Sequence, residues 1–394
     1  MNARRTVIVA GVGVSFVTAS LLLTACASDE KNADIEPDDT EIVLPTADAA
    51  ASDVVDGGGS CTTADCEFFP DTCGPDVLCL SGLFDPVDPT VGPDWRTRIT
   101  SIRGRSATDA WLVGTVGMGA HFDGTSWTTF DLGTIESQRF FWLADAGEVS
   151  FGTLDRIYSR GLGSGDAGVS PPGWAQRRSI SPPAGYSSIV TAAWAMPGAN
   201  VLWLATDADL WRLESDGSTF TSRPGIPASV CRSAPCKWLR SLHGTSAGTI
   251  WAVGDNGAAV RITGADGAAP ELHVTNPLTW KRLSGVWAVS DTEAWAVGAA
   301  GTITHNTGAR FSWEAVSNVP TDEHLNAVTG TSSSDIWVVG NAGVVLHYDG
   351  TAWSRVKIAG LGSRRPDLYT VWSPGPGRVW IGGQGVLLAL GDER

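Results

Sequence analysis

Residues of unlike chemistry recur at one position in this chain. Arg103, His243, Trp287, Thr329 and Trp372 each stand eight residues before a tryptophan, at Trp111, Trp251, Trp295, Trp337 and Trp380, and Trp194 stands nine before Trp203. A guanidinium, an imidazole and several indoles gathered round one axis could bind a glycan or a peptide by stacking and hydrogen bonding. Trp194, Trp287, Trp372, His243 and Arg103 are therefore the candidate ligand-binding set. The competing role for the same indoles is packing between neighbouring structural units.

No catalytic set assembles around them. A sialidase-type centre needs an arginine triad, a tyrosine nucleophile paired with a carboxylate, and an acid. The available tyrosines are Tyr158, Tyr186, Tyr348 and Tyr369, and Tyr348 sits inside a repeat. The stretch 163–168, GlySerGlyAspAlaGly, matches GxGxxG but follows no βαβ pattern, so it is expected to be a loop. His121, His305 and His347 fall ten residues after their tryptophans, with Arg261 at the same place in another repeat. Equivalent positions on separate units spread round a ring and do not converge on a metal. Neither HisxxxHis nor a carboxylate cage is present, so the expectation is a non-enzyme without metal or cofactor.

The elements that must hold these residues are written in the repeat. AspAlaTrp111LeuValGly, ThrIleTrp251AlaValGly, GluAlaTrp295AlaValGly, AspIleTrp337ValValGly and ArgValTrp380IleGlyGly share one pattern, and Trp251, Trp295, Trp337 and Trp380 are 44, 42 and 43 residues apart. One four-stranded propeller blade consumes roughly 40–50 residues. Glycine pairs in 254–257, 298–301 and 340–343 are placed where a tight hairpin demands positive φ, and AspGlyThr at 123–125 and 349–351 marks the next reversal before Trp127 and Trp353. Two degenerate blades are assigned to 148–152 with Trp174, and to Trp203 with Phe220. The seventh lacks a fourth strand after Trp380. GlyProAspTrp95ArgThr, residues 92–97, resembles the missing piece. The expected fold is all-β, a monomeric seven-bladed β-propeller over 92–394 with an N-terminal strand closing the last blade.

The remainder of the chain points to export. Arg4 and Arg5 precede an apolar run from Val7 to Leu23, and LeuThrAlaCys ends at Cys26. That order is a signal peptide, with an uncleaved membrane anchor as the alternative. The last four residues resemble a bacterial lipobox, which implies that Cys26 is acylated; ArgArgThrValIle also resembles a twin-arginine signal, with the Sec route equally open. Residues 27–60 carry ten of the 42 acidic residues against Lys31 alone and end in GlyGlyGlySer, so they are expected to form a flexible spacer. Cys61, Cys66, Cys73 and Cys79 follow within a small segment at 61–91, and Cys231 and Cys236 bracket ArgSerAlaPro. In an exported chain these six are read as disulfides in preference to zinc ligands, with the pairing of the first four open. A formal charge of −15 repels phosphate backbones, so nucleic acid is excluded as a partner.

TrpValValGlyAsnAlaGlyValValLeuHisTyrAspGlyThrAlaTrp, residues 337–353, resembles the repeat of BNR or Asp-box propellers, particularly those similar to photosystem II stability and assembly factors. The Trp-rich strands also resemble tectonin-type lectin propellers. The first resemblance implies a non-catalytic binding scaffold for envelope proteins, and the lipobox resemblance implies a lipid anchor outside the cytoplasm, in the outer membrane or at the cell surface. The second implies a module for surface glycans.

Overall fold

The structure, a computed structural model, describes residues 65–85, 92–145, 147–162, 169–170, 173–177, 189–217, 219–309 and 311–390. The expected signal peptide and spacer, Cys26, Cys61, the 163–168 loop and Tyr186 lie outside them.

Seven antiparallel sheets follow one another along the chain. Their innermost strands are Ile99–Ser106, Phe140–Ala144, Val190–Trp194, Leu239–Ser246, Leu283–Ala288, Leu325–Ser332 and Leu368–Gly375. Each of these strands touches the next, and the seventh touches the first, so the sheets form a closed ring of seven blades. Blades two and three lie where their weak repeats place them, with second strands Gly147–Thr153 and Val201–Thr206 and later strands beginning at Trp174 and Phe220.

Alternation along each second strand builds the core. Trp111 and Val113 pack forward against Phe141, Leu143 and Trp174 of blade two, while Leu112 between them packs backward with Trp380 and Leu387 of blade seven. Trp251, Trp295, Trp337 and Trp380 repeat the forward contact, each entering the cluster shared with the following blade. A buried indole of this kind contributes at most roughly 4–6 kcal/mol. Seven such interfaces, one between each pair of neighbouring blades, each hold a separate apolar cluster.

The hairpin glycines divide their work differently from the expectation. Positive φ falls on Gly257, Gly301 and Gly343 and on the residue before each, Asn256, Ala300 and Ala342. The leading glycines Gly254 and Gly340 are extended instead. They are small because a Cβ on Gly254, Gly298 or Gly340 would run into the carbonyl of Trp238, Arg282 or His324 in the segment leading to a neighbouring strand. At AspGlyThr, Asp123 Oδ1 accepts from Thr125 N–H, Thr125 Oγ1–H and Ser126 N–H, and Asp349 does the same with Thr351 and Ala352. Those bonds hold both carboxyls down at about 2.

Ring closure corrects the expectation at residues 92–97. The strand that completes blade seven is Leu78–Leu80, paired antiparallel with Val386–Leu390. It comes from the cysteine-rich segment and buries Leu78 completely. The surrounding chain is fastened to blades six and seven: Leu78 N–H donates to Lys357 O, Ile358 N–H to Phe68 O, and Arg365 pairs with Asp65 at 3.2 Å. Trp95 lies in the lead-in to blade one, half exposed, with its carbonyl against the Gly385 turn of blade seven. The AspTrp pair resembled a fourth strand, but the closing strand is three residues with little repeat signature. Of the cysteines, Cys73 pairs with Cys79 and Cys231 with Cys236.

Leu78→Ala is expected to lower the unfolding free energy by about 2–5 kcal/mol, whereas Trp95→Ala is expected to cost less than about 1 kcal/mol. Urea titration of the two variants measures both; the reverse order would move the closure to residue 95.

Candidate functional site: the central channel

Each residue of the candidate set, and Thr329 at the equivalent place, pairs across its blade with the anchor tryptophan: Arg103 with Trp111, Trp194 with Trp203, His243 with Trp251, Trp287 with Trp295, Thr329 with Trp337 and Trp372 with Trp380. Directly opposed residues share a face, so these side chains lean toward the following blade as well as the axis. Trp194, Trp287 and Trp372 reach a glycine there. A Cβ on Gly244 would lie 2.9 Å from Trp194 Cη2, one on Gly330 would lie 2.7 Å from Trp287 Cη2, and one on Gly104 would overlap Trp372. Large residues in blades three, five and seven thus lie over glycines in blades four, six and one.

The wedges leave a central cavity of about 440 Å³. Arg103, Trp194, His243 and Trp372 line it; Trp287, buried on Gly330, is off its wall. The structure therefore brings four of the five candidates to one opening. Arg139 and Arg240 line it too, and among the described residues no Asp or Glu does. Arg240 is held by Asp255 at 2.7 Å.

His243 Nδ1 accepts the Ala288 N–H at 3.0 Å, which bonds blade four to blade five at the axis. Burial, and next the Arg103 charge facing it from blade one, push its pKa down to about 3. The ring is neutral at ordinary pH, with its proton on Nε2. Burial also lowers the pKa of Arg103, whose Nη1 donates to Ile102 O at 2.8 Å.

Three other histidines do a structural job. His121, His305 and His347 stack on Trp111, Trp295 and Trp337 with ring centroids 3.9, 3.7 and 4.3 Å apart. Their Nε2 atoms bond Asp109, Glu293 and Asp335 at 2.9, 3.0 and 2.8 Å, and the two aspartates also accept the Trp111 and Trp337 indole N–H. In blade four, Thr249 replaces the acid and Arg261 lies over Trp251 instead. The signal was an acid two residues before the anchor occurring only with a histidine ten after it. Among the described residues, no three His, Cys, Asp or Glu side chains group as metal ligands.

Known proteins locate this architecture among propellers that differ widely in sequence. No family model matches the chain, and no curated protein matches it. Among solved structures it is similar to YCF48 bound to a D1 peptide, with a TM-score of 0.58 and 17% identity over 82% of this chain and 96% of that one. YCF48 from Cyanidioschyzon merolae gives 0.55 at 17% identity over 75% and 95%. The WD40 propeller domain of Doa1 gives 0.55 at 10% identity over 81% and 96%. These likenesses establish the propeller fold.

The depressed pKa of His243 fixes the sign of a pH effect. An unfolded chain protonates this histidine near 6.5 and the folded chain only near 3, so its contribution is complete above about pH 6.5 and is lost as the pH falls toward 3. His243→Asn keeps an acceptor for Ala288 and does not titrate. Urea titrations between pH 7 and 4 are expected to show a shallower loss of stability in the variant, by up to about 1.4 kcal/mol per pH unit.

Proposed function

We propose that this chain is a non-catalytic binding propeller of the bacterial envelope, lipid-anchored through Cys26 outside the cytoplasm, and that the face at the channel mouth grips an exposed segment of an envelope protein. One observation carries the reading: that face displays indoles the fold does not bury. Trp280 is 82% exposed, Trp95 50% and Trp238 42%. All three lie in segments leading into innermost strands, and the hairpin turns between second and third strands meet those segments: Asp255 N–H donates to Trp238 O, Gly385 N–H to Thr97 O, and Gly257 abuts Trp280. They therefore share one side of the ring, with Arg98 and Arg139 exposed beside them. Exposed tryptophan and arginine round a depression are the usual anchors of protein recognition.

Three further observations support the reading. YCF48, whose propeller this one is similar to, was solved with a D1 peptide. Leu23–Cys26 has the lipobox order, and the Cys73–Cys79 and Cys231–Cys236 bonds suit an oxidising compartment. The same indoles could stack on a sugar ring, which makes a surface glycan the alternative ligand.

The full chain and its Trp238→Ala/Trp280→Ala variant, used as bait in detergent-solubilised envelope, are expected to differ by about tenfold or more in the partner they retain, with equal melting temperatures. No protein enriched by the wild type, with a wild-type signal on a glycan array that the variant lacks, would replace the reading by the lectin one. Cys26→Ser is expected to move the chain from the membrane to the soluble fraction and to abolish palmitate labelling.

A further inference from the structure

We infer that the channel holds a carboxylate at Arg103, and that the group it receives is the carboxylate ending a polypeptide. The inference rests on the reading that the channel-mouth face takes a protein segment, and it names the chemistry inside.

Arg103 differs from the salt-bridged arginines of the ring. Arg96, Arg105, Arg156, Arg223, Arg240 and Arg365 each have an acidic partner, in Asp94, Glu148, Glu136, Glu214, Asp255 and Asp65. Arg103 has none among the described residues, and the bond it makes is to its own chain at Ile102 O. A half-buried guanidinium is ordinarily paired. In a chain of formal charge −15, the wall around this one contains no carboxylate among the described residues to pair it.

The geometry opposite supplies a second donor. His243 comes from blade four and Arg103 from blade one, which are not neighbours, so the two act on each other only across the channel. With Nδ1 occupied by Ala288, the neutral imidazole carries a hydrogen on Nε2 that it can donate without adding a positive charge. A guanidinium fork and an N–H donor are complementary to the oxygens of one carboxylate. Trp194 and Trp372 on the same wall offer apolar surface to the residues that carry it, and about 440 Å³ admits a chain end rather than a folded element.

Calorimetric titration of the full chain tests this with three probes: a short peptide with a free terminal carboxylate, the same peptide as its amide, and acetate. The free acid is expected to bind about tenfold or more tightly than the amide. Arg103→Gln is expected to erase that preference and Arg103→Lys to retain part of it, with melting temperatures reporting that both fold. Acetate competing with the peptide supports a carboxylate site, and acetate binding as tightly as the peptide would assign it to free acids and overturn the chain-end assignment. Equal binding of acid and amide, no binding of acid or acetate, or an undiminished preference in Arg103→Gln overturns the inference. Envelope capture separates the two readings: a partner retained by Arg103→Gln but lost by Trp238→Ala/Trp280→Ala leaves the binding face standing without the carboxylate site.

Discussion

Seven strands converging on one axis leave too little room for seven large side chains, and the structure satisfies that limit by placing indoles over glycines. Trp194 covers Gly244, Trp287 covers Gly330, and Trp372 covers Gly104. Each wedge buries apolar surface between two blades while keeping most of the ring out of the opening. The channel is what remains. Because Arg103, His243 and Thr329 each precede one of the covered glycines, polar residues take the places beside the wedges, and the chemistry of the opening follows from how the axis is packed.

The ring has a second requirement, since an open sheet must not be left beside its first blade. Leu78–Leu80 meets it by joining Val386–Leu390, and hydrogen bonds at Leu78, Ile358 and Ala359 tie the preceding segment to blade six. Residues 65–85 are thus part of the ring's architecture. Cys79 sits in the closing strand itself, bonded to Cys73, so the disulfide braces the segment that locks the circle. Closure of this kind shields a strand edge without a partner chain.

Much of this is legible in the sequence. The tryptophan spacing gave the blades, and the alternation TrpAlaVal gave the forward and backward faces, because a strand's period of two leaves no other arrangement. Leu78–Leu80 was hidden, since three residues among cysteines carry no periodicity and their meaning depends on a partner about 300 residues away. The wedges were half visible: the tryptophans stood out, but the glycines they cover belong to the next repeat. Trp287 therefore shares the spacing of the channel residues although its position is the interface with blade six. The acid–histidine–tryptophan stacks were present as a paired substitution between repeats, Asp109 with His121 against Thr249 with Arg261, which becomes informative once the second and third strands are known to face each other.

The central claim is that the axis tryptophans are interface wedges and that Arg103 and His243 are left facing the opening. Hydroxyl-radical footprinting of the folded chain, read residue by residue by mass spectrometry, addresses it directly. Trp280 is expected to oxidise readily, Trp372 partially, and Trp287 to be protected to the level of Trp251. Oxidation of Trp287 as fast as that of Trp280 would mean that its indole points into solvent, and the packing of the axis described above would be wrong.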